Sequence, residues 1–319
     1  MTEGKKPAKL TIVGGAGGLG STMAFFIGMS GIFDEIVLLD PAEKLLATHE
    51  TDLRECLVGE SPTAVRAGTW IDAFASDVVV MCAARTGAQV ESRNDYLLAN
   101  LALIRDTAAR INKYTPDSLL IVATAPLDVY VMIYAEELLW PRHKIFGYSY
   151  NDSHRFRWML GQVLGIDPAR TSGYVLGEHG ENQVPVYSSV QVDGKPYRLK
   201  KEELRKATLM LGDWYPAWQA LNAGRTTTWS SAVGMLRTIQ ALRGDGPGPV
   251  MGSAILEGEY GLEKVALGVP LKPAADGRSW ESVIEIPLDL EERDALKEAA
   301  VKVQGLYDEA KAAKPPEGA

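Results

Sequence analysis

The first half of the chain alternates short apolar runs with longer segments of helical character. The apolar runs have the length of strands and lie at residues 9–13, 35–39, 78–81, 119–123 and 145–147. The helical segments between them are residues 21–30, 42–56 and 95–114. Uninterrupted Val, Ile and Leu are typical of strands that are covered on both faces. The alternation therefore predicts an α/β fold, a doubly wound parallel sheet of five or six strands with right-handed crossovers.

The pattern changes near residue 150 to a mixture of helices and hairpins. Helices are predicted at 152–164, 201–221, 230–243 and about 290–310, and strands at 173–177, 184–192, 195–199, 265–268 and 282–286. Asn151 or Asp152 is the expected N-cap of the first helix. We expect two domains, 1–150 and an α+β domain at 151–319. Since the boundary falls between elements and not in a flexible linker, they should share a tight interface.

Charge and cysteine content narrow the class of protein. The 319 residues carry 33 Lys and Arg against 41 Asp and Glu, a net charge of −8, without a basic run. Nucleic-acid binding needs clustered cations, so it is not expected. No apolar stretch reaches the roughly 18 residues of a membrane span, so no membrane association is expected either. Cys56 and Cys82 alone exclude a disulfide framework and fit a reducing compartment, which favours a cytoplasmic protein.

A glycine-rich turn follows the first predicted strand and begins a helix. Its candidate ligand-binding residues are Gly14, Gly15, Gly17, Gly18, Leu19 and Gly20. Glycines permit the tight turn, and backbone N–H groups at the helix start face a pyrophosphate. Asp40 lies 20 residues after Gly20, at the end of the second strand, where it would bind an adenosine ribose and repel a 2′-phosphate. These features predict a Rossmann-type dinucleotide-binding domain over 1–150 that prefers NAD to NADP.

Three polar residues of the second half suggest acid/base chemistry. His179 stands in a turn between Gly177 and Gly180, while Asp152 and Arg155 lie three apart on one face of a helix. A carboxylate partner fixes the tautomer of a histidine and raises its proton affinity. An arginine fork binds a planar carboxylate in bidentate fashion. Taken singly, each feature is also what a helix-cap ion pair or an ordinary turn histidine would show.

Together these residues resemble the lactate/malate dehydrogenases, and the resemblance runs from about Lys9 to Ala310. It extends to residues 92–100, 125–128, 258–261 and 268–270. The resemblance implies that His179 is the general acid/base, that Asp152 orients it and that Arg155 binds the substrate carboxylate. Arg93 would polarise the keto oxygen when a mobile loop closes. Asn100 and Thr124 would lie at the cofactor.

Two departures from the family pattern concern the substrate end of the site. Ala125 stands where the family usually has Asn, so another group, Thr124 or a water molecule, would have to replace its amide. Malate enzymes carry an Arg six residues before the loop Arg, but here Arg85 is eight residues before Arg93. Either Arg85 binds the second carboxylate across a longer loop, or one of residues 87–89 occupies that position. Gln89 among them would favour lactate.

A third departure from the family pattern is the stretch 224–229, in which Thr227 is the expected hydroxyl of the substrate pocket.

The resemblance implies an NAD-dependent 2-hydroxy-acid dehydrogenase. Malate and oxaloacetate, a pair of the tricarboxylic acid cycle, are the default substrates. Lactate or another anionic 2-hydroxy acid is the alternative. An NAD- and metal-dependent glycosidase and a non-catalytic NAD-binding protein remain open, although no metal site is expected. The resemblance also implies a homodimer or homotetramer, for which the helices at 42–56 and 201–221 are candidate interfaces.

Overall fold

A computed structural model describes residues 8–85, 93–223, 227–246 and 248–313, without the side chains of 93–95. Its first half contains six parallel strands in the order β3-β2-β1-β4-β5-β6, connected mainly by helices. The elements are β1 (Lys9–Val13), α1 (Gly18–Ser30), β2 (Glu35–Leu39), α2 (Glu43–Leu57), β3 (Ala64–Ala67), β4 (Val78–Met81), α3 (Arg93–Tyr114), β5 (Leu119–Val122), α4 (Leu127–Leu138) and β6 (Ile145–Tyr148). The predicted doubly wound parallel sheet is confirmed.

The second half adds mainly antiparallel strands and four helices within the described residues. They are α5 (Tyr150–Leu164), β7 (Thr171–Gly177), β8 (Gln183–Val192), β9 (Lys195–Pro196), α6 (Lys201–Ala220), α7 (Trp229–Leu242), β10 (Val250–Glu257), β11 (Glu263–Pro273), β12 (Trp280–Val283) and α8 (Leu290–Ala312). The predicted strand at 195–199 is wrong beyond Pro196, and the one expected at 282–286 lies earlier. The N-cap of α5 is Ser149, so Asn151 and Asp152 belong to its first turn.

The sheet does not stop at the boundary between the two halves. Strand β10 pairs with β6 in antiparallel register, Gly252 opposite Tyr148 and Ser253 opposite Gly147, and the order continues β10-β11-β7-β8-β9. Strand β10 escaped the sequence pattern because Gly252 and Ser253 interrupt its apolar run. The small residue is required there, since a Cβ at Gly252 would lie 2.6 Å from the Phe146 ring.

The core follows from the apolar strands of the first half. Leu10, Ile12, Val79 and Val80 are fully buried, as expected for a sheet covered on both faces. Helix α1 of the first half packs against α7 of the second, so the two halves also meet through helices. Cys56 and Cys82 are free thiols. No helix within the described residues is long and apolar enough to cross a membrane.

Candidate active site

The glycine turn between β1 and α1 is held by main-chain hydrogen bonds. The N–H groups of Gly14 and Gly15 donate to the Leu39 carbonyl at 2.8 and 3.0 Å, and the Gly17 N–H donates to the Gly14 carbonyl at 3.1 Å. Gly14 has φ +96°, and a Cβ there would lie 2.6 Å from the Ala83 nitrogen. Only glycine therefore fits this position without displacing the loop after β4.

The start of helix α1 has the features of an anion site. The N-cap is Gly17, no side chain of the described residues caps it, and the first turn carries no acidic residue. A Cβ at Gly20 would clash with the Gly14 carbonyl, so the helix approaches the turn closely. The positive end of the helix dipole thus meets no capping side chain and no acidic residue of its own first turn within the described residues, which fits a pyrophosphate. Gly18 and Leu19 form this first turn, and Leu19 is partly buried against the core.

Asp40 connects the end of β2 to the glycine turn. Its Oδ2 accepts the N–H of Ala16 at 3.2 Å, and its Oδ1 accepts the N–H of Ala42 at 2.9 Å. The side chain remains partly exposed beside the turn. Each carboxylate oxygen has a second lone pair, so the group can still accept a hydrogen bond from a hydroxyl of a bound molecule.

Asn100 and Thr124 organise the main chain after β4. The Asn100 amide is fully buried; its Oδ1 accepts the N–H of Arg85 at 2.7 Å, and its Nδ2 donates to the Tyr96 carbonyl at 2.9 Å. The Thr124 hydroxyl donates to the Ala83 carbonyl at 2.8 Å. Its single proton is therefore used inside the protein, and Thr124 can only accept from a ligand.

The acid/base residues come together from two elements of the second half. The Asp152 carboxylate, in the first turn of α5, accepts a 2.6 Å contact from His179 Nδ1 and a 3.5 Å contact from Arg155 Nη1. The Asp152 side chain is 7% exposed and that of His179 26%. Asp152 therefore fixes one ring nitrogen of His179 from inside, while the imidazole keeps access to the exterior.

The electrostatic surroundings favour a protonated imidazole. Burial lowers the pKa of His179, but the charge and hydrogen bond of Asp152, helped by Asp128, raise it above its usual value despite the nearby Arg155. Burial also lowers the pKa of Arg155, which nevertheless stays a cation because an arginine starts so high. The arrangement can thus hold a proton at His179 beside a cation suited to a carboxylate.

The predicted substrate residues are only partly within the described residues. The side chain of Arg93 and residues 87–89 lie outside them. The main chain of Arg85 is described, and its side chain is exposed. Thr227 Oγ1 lies 3.0 Å from Ser231 Oγ. The Asn151 amide donates to that same serine oxygen at 2.7 Å, which links Thr227 to the first turn of α5.

Several contacts of this site had no local signal in the sequence. The Arg155 guanidinium lies over the Trp214 ring, 3.6 Å from its centroid, and Trp214 stacks on Trp218 of the same helix α6. The buried Asp128 carboxylate, from the first half of the chain, accepts the N–H of His179 at 2.8 Å. The only hint of the Arg155–Trp214 contact in the sequence was the spacing of Trp214 and Trp218, four residues apart on an amphipathic helix. Asp128 was visible only as part of the 125–128 motif.

No group of three His, Cys, Asp or Glu side chains placed to hold a metal ion occurs among the described residues. The glycine cradle and the uncapped helix start are instead suited to a dinucleotide, because an added side chain would fill the space at Gly14. The chemistry that these features allow is binding of a nucleotide at one end and proton exchange at His179 at the other.

Comparison with known proteins agrees with this geometry. The family model "lactate/malate dehydrogenase, NAD binding domain" matches residues 8–147, and "lactate/malate dehydrogenase, alpha/beta C-terminal domain" matches 151–313. A malate dehydrogenase of Halobacterium salinarum is 32% identical over 94% of this chain and 99% of that protein. An L-lactate dehydrogenase of Acetivibrio thermocellus is 27% identical over 94% and 96%.

A solved structure matches over almost the full length as well. The lactate dehydrogenase of Cryptosporidium parvum, complexed with lactic acid and nicotinamide adenine dinucleotide, superposes with a TM-score of 0.90 at 25% identity, covering 97% of this chain and all of that one. Both halves thus match, in order, the two domains of one enzyme family. The chain belongs to the lactate/malate dehydrogenase family and is an NAD-dependent oxidoreductase.

Proposed function

We propose that this enzyme interconverts malate and oxaloacetate, with His179 as general acid/base, Asp152 as its partner and Arg155 as the ligand of the substrate carboxylate. The observation that carries the proposal is the His179–Asp152–Arg155 cluster, with a 2.6 Å contact between the first two. The malate dehydrogenase of Halobacterium salinarum, 32% identical, supports this choice of substrate. Such a reaction belongs to the tricarboxylic acid cycle.

His179 is suited to move the hydroxyl proton in both directions. Its Nδ1 faces Asp152, so Nε2 is the atom that exchanges a proton with the substrate oxygen. In oxidation the neutral imidazole accepts the proton, and in reduction the imidazolium returns it. Bound NAD supplies the hydride acceptor or donor. The carboxylate of Asp152 stabilises the imidazolium throughout.

Arg155 is placed to bind the carboxylate next to the reacting carbon. Its side chain is 17% exposed, and the Trp214 ring covers one face of the guanidinium. The planar edge of the fork stays the binding surface, because stacking occupies a face and not the N–H donors. We assign Arg93 to the keto oxygen, Arg85 to the second carboxylate and Thr227 to the pocket wall on the family pattern.

For the cofactor, we assign Asp40 to the adenosine ribose and the glycine turn to the pyrophosphate. A carboxylate at that place repels a 2′-phosphate, which is the basis for preferring NAD to NADP. Asn100 and Thr124 are assigned to shape the nicotinamide end. Since the Thr124 hydroxyl already donates to Ala83, a water molecule is the better candidate to replace the amide that Ala125 lacks.

Lactate is the second candidate substrate. The similarity to lactate dehydrogenases of Acetivibrio thermocellus and Cryptosporidium parvum supports it, as does Gln89 if it occupies the specificity position. In that case pyruvate would be reduced well by the unmodified enzyme, and Arg85→Gln would change little.

A panel of 2-keto acids assayed with NADH and NADPH separates these possibilities. If Arg85 binds the second carboxylate, oxaloacetate exceeds pyruvate, and Arg85→Gln lowers kcat/KM for oxaloacetate about 10²-fold while sparing pyruvate, because an unpaired buried charge is costly. Weak activity with both acids would indicate another 2-hydroxy acid. No turnover of any keto acid would favour a non-catalytic NAD-binding protein. Loss of enzymatic activity when a metal chelator is added would favour the NAD- and metal-dependent glycosidase.

We further propose a cytoplasmic homodimer or homotetramer built from domains 1–150 and 151–319. Helices α1 and α2 expose Phe25, Met29 and Leu45, and α6 exposes Leu204 and Leu209, which are apolar surfaces suited to interfaces. Light scattering after size-exclusion chromatography tests the assembly. A mass equal to one chain would contradict it.

A further inference from the structure

A buried carboxylate of the first half reaches the acid/base residues of the second. Asp128 lies in the first turn of α4 and is 1% exposed. Its Oδ2 accepts the backbone N–H of His179 at 2.8 Å, and its Oδ1 accepts the hydroxyl of the fully buried Ser253 on β10 at 2.6 Å. Both oxygens are thus engaged, one with the segment that carries the imidazole and one with the strand that joins the two halves.

We propose that Asp128 is a positioning residue for the dehydrogenase reaction: it anchors the main chain of His179 across the boundary between the two halves and, as a second buried carboxylate, stabilises the imidazolium. The inference rests on the proposed role of His179. A hydrogen bond to a charged acceptor is about twice as strong as a neutral one. The charged Asp128 carboxylate therefore holds the backbone at His179 more firmly than a neutral acceptor would.

The charges around Asp128 determine when it is ionised. Burial, with a smaller contribution from the charge of Glu178, raises the pKa of Asp128, and the Ser253 hydrogen bond and His179 lower it. The net effect raises the pKa of Asp128 to about 6. His179 in turn faces Asp152 and Arg155 of α5 as well as Asp128 of α4. Well above pH 6 the Asp128 carboxylate is charged and adds to the effect of Asp152 on the imidazole. As the pH falls through about 6 the carboxylate is progressively protonated, and that support is lost.

Two carboxylates then share the control of one imidazole in different ways. Asp152 contacts the ring itself at Nδ1, whereas Asp128 contacts only the backbone of the same residue. Asp128 is therefore expected to act on the proton affinity of His179 and on its placement without touching the substrate. Ser253 supports Asp128 by stabilising its charged form.

Histidine titration by NMR tests the inference without requiring turnover. The chain has four histidines, so the His179 imidazole can be assigned by comparison with the His179→Asn protein. The Asp128→Asn substitution removes the negative charge, while the amide oxygen still provides an acceptor for the His179 N–H. We expect the pKa of His179 to fall, and the pH at which keto-acid reduction declines to fall with it. We also expect kcat/KM at pH 8 to drop by about tenfold, the effect of losing a charged hydrogen-bond acceptor.

Ser253→Ala and Asp77→Asn complete the experiment. Ser253→Ala should lower the pKa of His179 in the same direction as Asp128→Asn but by less. It destabilises the charged form of Asp128 without removing the carboxylate. Asp77 is a buried carboxylate at the start of β4 that accepts the Lys9 N–H and pairs with Arg278, away from His179. Asp77→Asn controls for loss of a buried charge and should leave the His179 titration unchanged.

The outcomes separate this inference from the proposed function. A His179 pKa and pH profile in Asp128→Asn equal to those of the unmodified enzyme would overturn the role of Asp128. An equal shift in Asp77→Asn would overturn it too, because the effect would then be general. If no keto acid is turned over by the unmodified protein, the proposed function fails, while the titration still reports whether Asp128 controls the imidazole.

Discussion

The nucleotide end and the acid/base end of the site are constructed in opposite ways. At the nucleotide end, the glycine turn presents main chain without side chains. Gly14 is needed there because a Cβ at that position would clash with Ala83. The acid/base end is made of side chains from separate elements, with Asp152 on α5, Asp128 on α4 and His179 after β7. The difference teaches that the nucleotide end depends mainly on the shape of one glycine turn, whereas the acid/base end depends on charges that the whole fold brings together.

The largest expected effect separates the two ends directly. His179→Asn should lower kcat/KM about 10²–10⁴-fold, since a positioned acid/base is lost, and should leave the Kd for NADH nearly unchanged. Steady-state kinetics and fluorescence titration of NADH measure both quantities. Parallel losses of turnover and of NADH affinity would show that the two ends are not separable.

Arg155→Lys tests whether the acid/base end needs shape as well as charge. Lysine keeps the charge but cannot present a planar fork or stack as well on Trp214. A loss of about 2–5 kcal/mol corresponds to roughly thirty-fold to several-thousand-fold in kcat/KM. A change below about threefold would mean that the carboxylate is bound elsewhere.

Asp152→Asn sharpens the electrostatic side of the comparison. In the proposed mechanism, keto-acid reduction needs protonated His179. Burial lowers the pKa of His179, but the Asp152 carboxylate raises it above its usual value. Without that charge the imidazole loses its proton at lower pH, so the decline of the reduction rate should move to lower pH and kcat/KM should fall about tenfold to a hundredfold. The pH–rate profile measures this, and an unmoved profile would contradict the pairing.

Gly14→Ala tests the main-chain end. At φ +96° the added Cβ would be strained and would press on the Ala83 nitrogen at 2.6 Å, a cost of about 1–3 kcal/mol. NADH binding should weaken about tenfold and Tm should fall, while the pKa of His179 stays the same. Gly59→Ala, also at positive φ but with open space around its Cβ, controls for backbone strain alone. Equal NADH affinities in the two variants would argue against the close approach.

The smallest expected effect concerns the aromatic support of Arg155. Trp214→Ala removes a stacking partner worth about 0.5–2 kcal/mol, so KM for the keto acid should rise about threefold to tenfold with kcat little changed. Trp218→Ala removes the second ring of the stack but leaves Trp214 over Arg155, so it should change KM less. Equal effects of the two substitutions would mean that α6 acts through its packing and not through Arg155.

The two ends also differed in what the sequence predicted. The glycine turn, Asp40 and the parallel strands are local patterns, and each lies as expected beside the others. Asp152, Arg155 and His179 were connected through a family resemblance, and the structure places the Asp152 carboxylate 2.6 Å from His179 and 3.5 Å from Arg155. Ser253 and Trp214 could not be predicted, because their importance comes from the residues that folding places next to them. The N-cap of α5 was misplaced because Ser149, Asn151 and Asp152 all suit that position.

The pairing of β6 with β10 has a consequence for how the molecule unfolds. A single hydrogen-bonded sheet crosses from one half to the other, so neither half can open without exposing the edge of a strand. The two halves should therefore lose their structure as one cooperative unit, unlike domains connected only by a linker. A fragment ending at Tyr148 would present β6 as an unprotected edge, with the aggregation tendency that such an edge carries.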